Sequence, residues 1–156
     1  MRTTAKVDYA VRAALVLAAA QPPDGGRVAV KGAQVAAQQA IPVKFLESIL
    51  AELKRSGIVG SQRGSDGGYW LTRSASEISI ADLIRAVEGP LADVRGVRAE
   101  SLDYDDGLES LQRMWVAVRA NLRAVLERVS LADLNAGTLP PEVEAIANDD
   151  DAWIVH

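Results

Sequence analysis

Residues 41–71, IPVKFLESILAELKRSGIVGSQRGSDGGYWL, constrain this chain most, because the apolar period changes once there and the chain then turns back on itself. Pro42 opens a helix whose apolar positions Phe45, Leu46, Ile49, Leu50 and Leu53 recur at helical spacing on one face. Ser56-Gly57 stops it, and a short β-branched strand follows at Ile58-Val59. Arg63-Gly64 leads into a Ser65-Asp66-Gly67-Gly68 turn, and Tyr69-Trp70-Leu71-Thr72 returns as the second strand.

The flanking residues complete the pattern. Residues 4–20 predict a first helix with Val7, Val11, Ala14, Leu15 and Ala18 on one face. Gln21 to Gly26 is a proline- and glycine-bearing loop, Arg27–Val30 a short strand, and 31–39 a short helix packed by Val35 and Ala36. Ala40-Ile41 is then the turn, since the residue before a proline avoids the α-region. Two helices, a tight turn and an arginine-tipped hairpin predict a mainly α winged helix-turn-helix with a small β-hairpin wing, an architecture suited to reading duplex DNA.

Beyond the wing, Arg73–Ser76 is a connector, and a helix spans 80–88 with Ser79 as N-cap and Asp82 in its first turn. Gly89-Pro90 ends it, and residues 91–106 lack periodicity and read as loop. Leu108, Leu111, Trp115, Val118, Leu122, Val125 and Val129 then alternate steps of three and four, the seam of a long helix that packs on another, with Met114 and Leu126 widening the face. Packing on its own domain is the alternative, but the stripe exceeds what a small winged helix covers, so a homodimer is expected. Ser130 caps a short helix at Leu131–Leu134. Gly137, Pro140-Pro141 and Asp149-Asp150-Asp151 then predict a mobile acidic tail. The expected organisation is a DNA-binding domain over 1–90, a linker loop over 91–107, a dimerisation helix and short terminal helix over 108–134, and a flexible tail over 135–156.

Charge separates along the same lines. Net charge is −4 over 156 residues, yet residues 1–73 hold ten Lys/Arg against five Asp/Glu, and residues 74–156 hold seven against sixteen. A basic first half suits phosphates, and an acidic second half suits the side away from them. There is no cysteine, and His156 is the only histidine, so thiol nucleophiles, disulfides, zinc-thiolate sites and imidazole-based metal sites have no ligands. No carboxylate pair has a recognisable catalytic arrangement, so no enzyme and no cofactor are expected. Asp103, Asp105 and Asp106 read as an exposed acidic loop rather than a cation site. The absence of a long apolar run or a secretory leader places the expectation in the cytoplasm.

Each part of the motif takes a role. Pro42 and Val43 open the helix at the end that meets base edges, and Lys44, Glu47 and Ser48 lie off its core stripe, free to reach out. A Lys44–Glu47 ion pair on a solvated face is the bland alternative. Arg63 beside Gly64 suits a narrow minor groove, against a merely solubilising hairpin arginine. Gln62 and Ser65 are candidate phosphate donors. Lys6, Lys31, Lys54 and Arg55 are phosphate contacts or solvated charges, with Arg2 and Thr3 as an N-terminal arm. Tyr9, Tyr69, Trp70 and Trp115 either line an effector pocket or divide between wing and seam, the second being the better account.

Five ordered blocks also carry a resemblance: Met1-Arg2-Thr3-Thr4 with Asp8-Tyr9-Ala10-Val11-Arg12-Ala13, Ile41 to Glu47, Ser61-Gln62-Arg63-Gly64 with Gly67-Gly68-Tyr69, Ile80 to Pro90, and Ser130 to Leu134. Across residues 1–134 the chain resembles the IscR-type, or Rrf-two, family of bacterial winged-helix regulators. That likeness implies a homodimeric repressor on palindromic operator DNA, with Lys44 and Glu47 facing bases or phosphates and Arg63 in the minor groove. Cluster-binding relatives carry three cysteines in the region of residues 91–107, where this chain has none. The likeness is therefore to the cysteine-free branch, controlled by an unidentified effector or a partner protein. A winged helix that binds protein rather than DNA is the alternative class.

Overall fold

The computed structural model describes residues 3–24, 26–104 and 107–155. Among the described residues seven α-helices and one hairpin follow in order: α1 (Ala5–Ala20), α2 (Gly32–Gln39), α3 (Val43–Arg55), β1 (Val59–Gln62), β2 (Gly68–Leu71), α4 (Ile80–Glu88), α5 (Glu109–Leu126), α6 (Leu131–Ala136) and α7 (Pro141–Ala147). None of the described helices is long and apolar enough to cross a membrane.

Helix α1 is the hub, packing against α2, α3, α4, α6 and β2. Its N-cap Thr4 accepts the Val7 N–H, satisfying a donor that a helix start leaves free. The buried face is Val7, Ala10, Ala13, Ala14, Leu17 and Ala18, while Val11 and Leu15 pack at its edge half-buried. Small side chains let several neighbours approach one helix closely. Against them α3 buries Leu46, Ile49, Leu50 and Leu53 almost completely, each worth about 1.5–3 kcal/mol relative to exposure. Phe45, expected on that stripe, is instead 36% exposed and meets the Tyr9 ring edge-on at 5.6 Å. The centre of the stripe falls at positions 46, 49, 50 and 53, and residue 45 sits a helical step outside it.

The turn between α2 and α3 is made by Ala40 in the left-handed region (φ 51°), with the Ile41 N–H donating to the Ala36 carbonyl at 3.0 Å. Ile41 is buried, and Pro42 caps α3. The hairpin pairs Val59 with Leu71, Gly60 with Trp70, Ser61 with Tyr69 and Gln62 with Gly68. It is thus longer at its tip end than expected: β1 runs to Gln62, Gly68 belongs to β2, and the turn closes with the Gly67 N–H on the Gly64 carbonyl at 3.1 Å. Thr72 and Ile58 flank the strands, joined by the Thr72 N–H on the Ile58 carbonyl at 3.0 Å. Arg27–Val30 is not a strand. Only Val30 pairs, exchanging two 2.8 Å hydrogen bonds with Tyr69, while Arg27 and Val28 are exposed.

Two reciprocal caps bring distant segments together. Ser79 accepts the Asp82 N–H and donates its own N–H to the Asp82 carboxylate, both at 3.1 Å. Ser130 and Asp133 repeat the device at 3.1 and 2.8 Å. The two caps lie side by side: the Ile80 N–H donates to the Val129 carbonyl at 2.9 Å and the Leu131 N–H to the Ile78 carbonyl at 3.0 Å. Helix α6 therefore packs on α1, with Leu131 fully buried in the main core. Val129, expected on the seam, follows the end of α5 and is buried at this junction, where its carbonyl is consumed.

Between the caps the chain makes an excursion. Leu91, Ala99 and Leu102 are buried, a 3-10 turn spans Ala99–Ser101, and Gln112 of α5 donates to the Leu102 carbonyl at 2.6 Å. Helix α5 itself buries none of its 18 residues. The segment 135–156, expected as a mobile tail, carries helical structure. Asn135 and Ala136 complete α6, Gly137 terminates it at φ 68°, and α7 follows with Pro141 in its first turn and Val143 buried. A proline whose missing N–H falls in the first turn starts a helix rather than breaking one. A further 3-10 turn spans Asp150–Trp153.

Candidate nucleic-acid interface

The buried stripe of α3 turns the opposite face outward, and Pro42, Val43, Lys44, Glu47 and Ser48 are all exposed. Lys44 and Glu47 are both exposed and form no ion pair with any described residue. The orientation of α3 is fixed from behind. The Arg12 guanidinium lies 5.4 Å over the Tyr9 ring, which abuts Phe45, and its Nε donates to the Gln39 side chain at 3.1 Å. One arginine thereby ties α1 to the end of α2, and its aromatic neighbour props α3.

The wing is joined to α3 through the Ile58 N–H on the Leu53 carbonyl at 3.0 Å. Arg63, Gly64, Ser65 and Asp66 are exposed at its tip, and Gly64 has φ 109°, a conformation that favours glycine. Arg63 has no ion pair with a described residue. Along the strands the Trp70 indole lies against Gly60, where a Cβ would stand only 2.5 Å from the ring. Arg27 stacks 4.3 Å over Trp70 and donates to the Gln62 side chain at 3.2 Å. Sequence reasoning missed Arg27, because an isolated arginine in a loop belongs to no periodic face. Gln62, expected as a phosphate donor, has its carbonyl oxygen engaged by Arg27.

The remaining cations divide. Lys31, at the N-cap of α2, and Lys54 are exposed, and Arg55 approaches Glu52 only to 3.9 Å. Lys6 is not free for phosphate: its Nζ donates to Glu52 at 3.0 Å and to the Val87 carbonyl at 2.7 Å, linking α1 to α3 and α4. Thr3 is exposed ahead of α1, whereas Arg2 lies outside the described residues.

The expected dimer face lies on α5 and its start. Leu108 caps the helix, Val118 is exposed, and Leu111, Trp115, Leu122 and Val125 are half-buried. The four aromatics singled out in the sequence do not come together. Trp70 stacks in the wing, Tyr9 props Phe45 and Tyr69 pairs with Val30. Trp115 alone lines a cavity of about 500 Å³ between α4, the 91–95 segment and α5, with Ile84, Leu91 and Val118.

Residues 3–137 match the model of the Rrf2 family, described as iron-dependent transcriptional regulators. An HTH-type transcriptional regulator of Mycobacterium tuberculosis is 46% identical over 149 residues, covering 96% of this chain and 90% of the relative. The regulator IscR of Cereibacter sphaeroides is 31% identical over 151 residues, covering 90% and 91% respectively. Among solved structures, CymR, the global cysteine regulator of B. subtilis, superimposes with a TM-score of 0.72 at 25% identity, covering 88% of this chain and 98% of CymR. IscR of T. potens gives 0.66 at 26% identity, covering 100% and 93%.

The iron in that family description meets an unsuitable donor set here. The 91–104 segment offers Asp93, Glu100 and Asp103 but no thiol or imidazole. Asp93 is bonded to the Gly96 N–H at 2.9 Å and Glu100 is paired with Arg119. Among the described residues no three His, Cys, Asp or Glu side chains converge, and Asp105 and Asp106 lie outside them. These residues do not fit a thiolate-held iron cluster.

Proposed function

The chain belongs to the Rrf2 family of HTH-type transcriptional regulators, which bind DNA and are not enzymes, and from that premise we propose that it acts as a homodimeric repressor on palindromic operator DNA. Helix α3 enters the major groove through Pro42, Val43, Lys44, Glu47 and Ser48. Lys44 donates to a base or phosphate, and Glu47 accepts from a cytosine amino group while repelling groups that cannot donate. The wing lays Arg63 into the adjacent minor groove, with Gly64 and Ser65 close to the backbone. Thr3 and Lys31 meet phosphates, which position the protein without reading sequence. Two copies pair through Leu108, Leu111, Trp115, Val118, Leu122 and Val125, so operator half-sites repeat with the protein's two-fold symmetry.

One observation carries this reading: an 18-residue helix with an apolar stripe that its own chain leaves without a single buried residue. A stripe of that length is stable in water when a second helix covers it. The exposed Arg63 at the tip of the wing, without an ion pair to a described residue, supports the DNA arm of the reading. Size-exclusion chromatography with light scattering, followed by footprinting and titration on fragments upstream of the protein's own gene, tests both. A dimer is expected, with affinity falling steeply as salt rises. Arg63→Ala should weaken operator binding about tenfold or more and flatten the salt dependence by roughly one ion. A monomer, or Arg63→Ala binding as tightly as the parent, would refute it.

A further inference from the structure

A second concentration of charge lies away from helix α3 and the wing. A cavity of about 290 Å³ opens where α4, the Gly89-Pro90-Leu91 turn and α5 meet, lined by those three residues with Arg85, Arg98 and Arg119. Each arginine comes from a different element: Arg85 from α4, Arg98 from the start of the Ala99–Ser101 turn, and Arg119 from the middle of α5. Every charged group in the wall is a guanidinium.

Like charges gathered in one recess repel unless something neutralises them. Carboxylates do so only from outside the wall. Arg85 pairs with Glu127 and stands 3.8 Å from Asp82, and Arg119, only 22% exposed, pairs with Glu100. Glu127 is itself shared with Arg123 at 2.9 Å. Arg98 is exposed and forms no ion pair with a described residue. A guanidinium offers more N–H donors than one carboxylate can use, in a planar fork that matches oxyanions. The recess is at the small end of ligand-pocket sizes, which excludes a large apolar effector.

We propose that this recess is the binding site of a small multivalent oxyanion, a molecule carrying two or more carboxylate or phosphate groups, whose occupancy fastens α5 to α4. Such a ligand bridges Arg98 to Arg85 and Arg119, engaging the one guanidinium of the three that makes no close ion pair and the unused donors of the other two. A monovalent anion cannot span three elements and merely screens them. Because the site straddles the joint between the DNA-binding elements and α5, its filling biases the angle between them. The binding step stands independently of the repressor reading; its effect on operator affinity rests on that reading.

The test is isothermal titration calorimetry of the full chain with citrate and, separately, with pyrophosphate, at constant ionic strength made up with sodium chloride. Saturable binding of one anion per protomer by either probe is expected, and the probe that binds distinguishes carboxylate from phosphate chemistry. Arg98→Ala should weaken it about tenfold or more while leaving the far-UV circular dichroism unchanged and the Tm close to the parent's, since Arg98 is exposed and its influence on Glu100 is at a distance, without a close ion pair. Arg119→Lys, which keeps the charge and loses the fork, should weaken it as well. No saturable heat with either probe, or an Arg98→Ala variant that binds like the parent, would overturn the site. Saturable binding that leaves affinity for a footprinted fragment unchanged overturns the coupling alone. Failure to bind DNA with or without the anion overturns the repressor reading and leaves the site intact.

Discussion

Leu131 is fully buried in the core around α1 although it follows the whole α5 excursion in sequence. Leu131→Ala removes three carbons, about 2.4 kcal/mol of transfer free energy at roughly 0.8 kcal/mol per carbon. A residual cavity adds to this, because helices capped at Ser79 and Ser130 cannot slide inward freely, giving about 3–4 kcal/mol in total. For a chain of this length that corresponds to a Tm lower by roughly 10 °C. In urea it lowers the midpoint by about 1.5 M at a slope near 2 kcal/mol per M. Urea unfolding followed by circular dichroism, at one fixed protein concentration so that association does not contribute, reads the difference. The loss should appear in the single transition of the α1–α4 core. A cost below about 1 kcal/mol, or a new early transition with the main one unmoved, would show that α6 is an accessory and not part of that core.

Three further outcomes follow from the geometry. Gly60→Ala places a Cβ 2.5 Å from the Trp70 ring, so the indole must leave its seat under Arg27; a cost of about 1–3 kcal/mol with a shifted tryptophan emission is expected, and unchanged emission would contradict it. Glu127 is held down to about 2, first by its hydrogen bond from Arg123 and then by that from Arg85. A depressed carboxylate stabilises the fold fully above its ordinary value of 4.5 and loses that contribution as pH falls toward 2. Glu127→Gln should therefore flatten the acid limb of a Tm-against-pH curve in that window, and superimposable curves would count against a stabilising role for the Arg85–Glu127–Arg123 pairing. Val118→Asp puts a charge at a position 39% exposed in the protomer, so the circular dichroism should be kept while light scattering reports a monomer; a dimer of unaltered affinity would place the seam elsewhere.

Much of the fold was legible because its signals are local. Ser79 with Asp82 and Ser130 with its own cap partner announce helix starts, Ser56-Gly57 an end, and alternating apolar steps give α3 and α5 their faces. Misreadings arose wherever a distant partner decides. Lys6 looks like any exposed lysine until the α1–α3–α4 packing sets Glu52 and the Val87 carbonyl beside it. Val129 continues the heptad arithmetically but lies past the end of α5, where the backbone bonds to Ile80. Phe45 has the hydrophobicity of a core residue at an angular position on its border. Arg27 acquires its place only when Trp70 arrives from the other side of the hairpin. Pro140-Pro141 belongs to a segment whose composition predicts a mobile tail, yet the same residues cap and open α7.

The 90–128 arm leaves the head at the far end of α4 and re-enters it at Ser130, where its backbone pairs with Ser79 at the start of that same helix. An arm anchored this way behaves as a lever: torque on α5 is delivered simultaneously to the first turns of α4 and α6, both seated on the hub helix. The same junction lets the arm vary in length without the head having to learn a new way to fold.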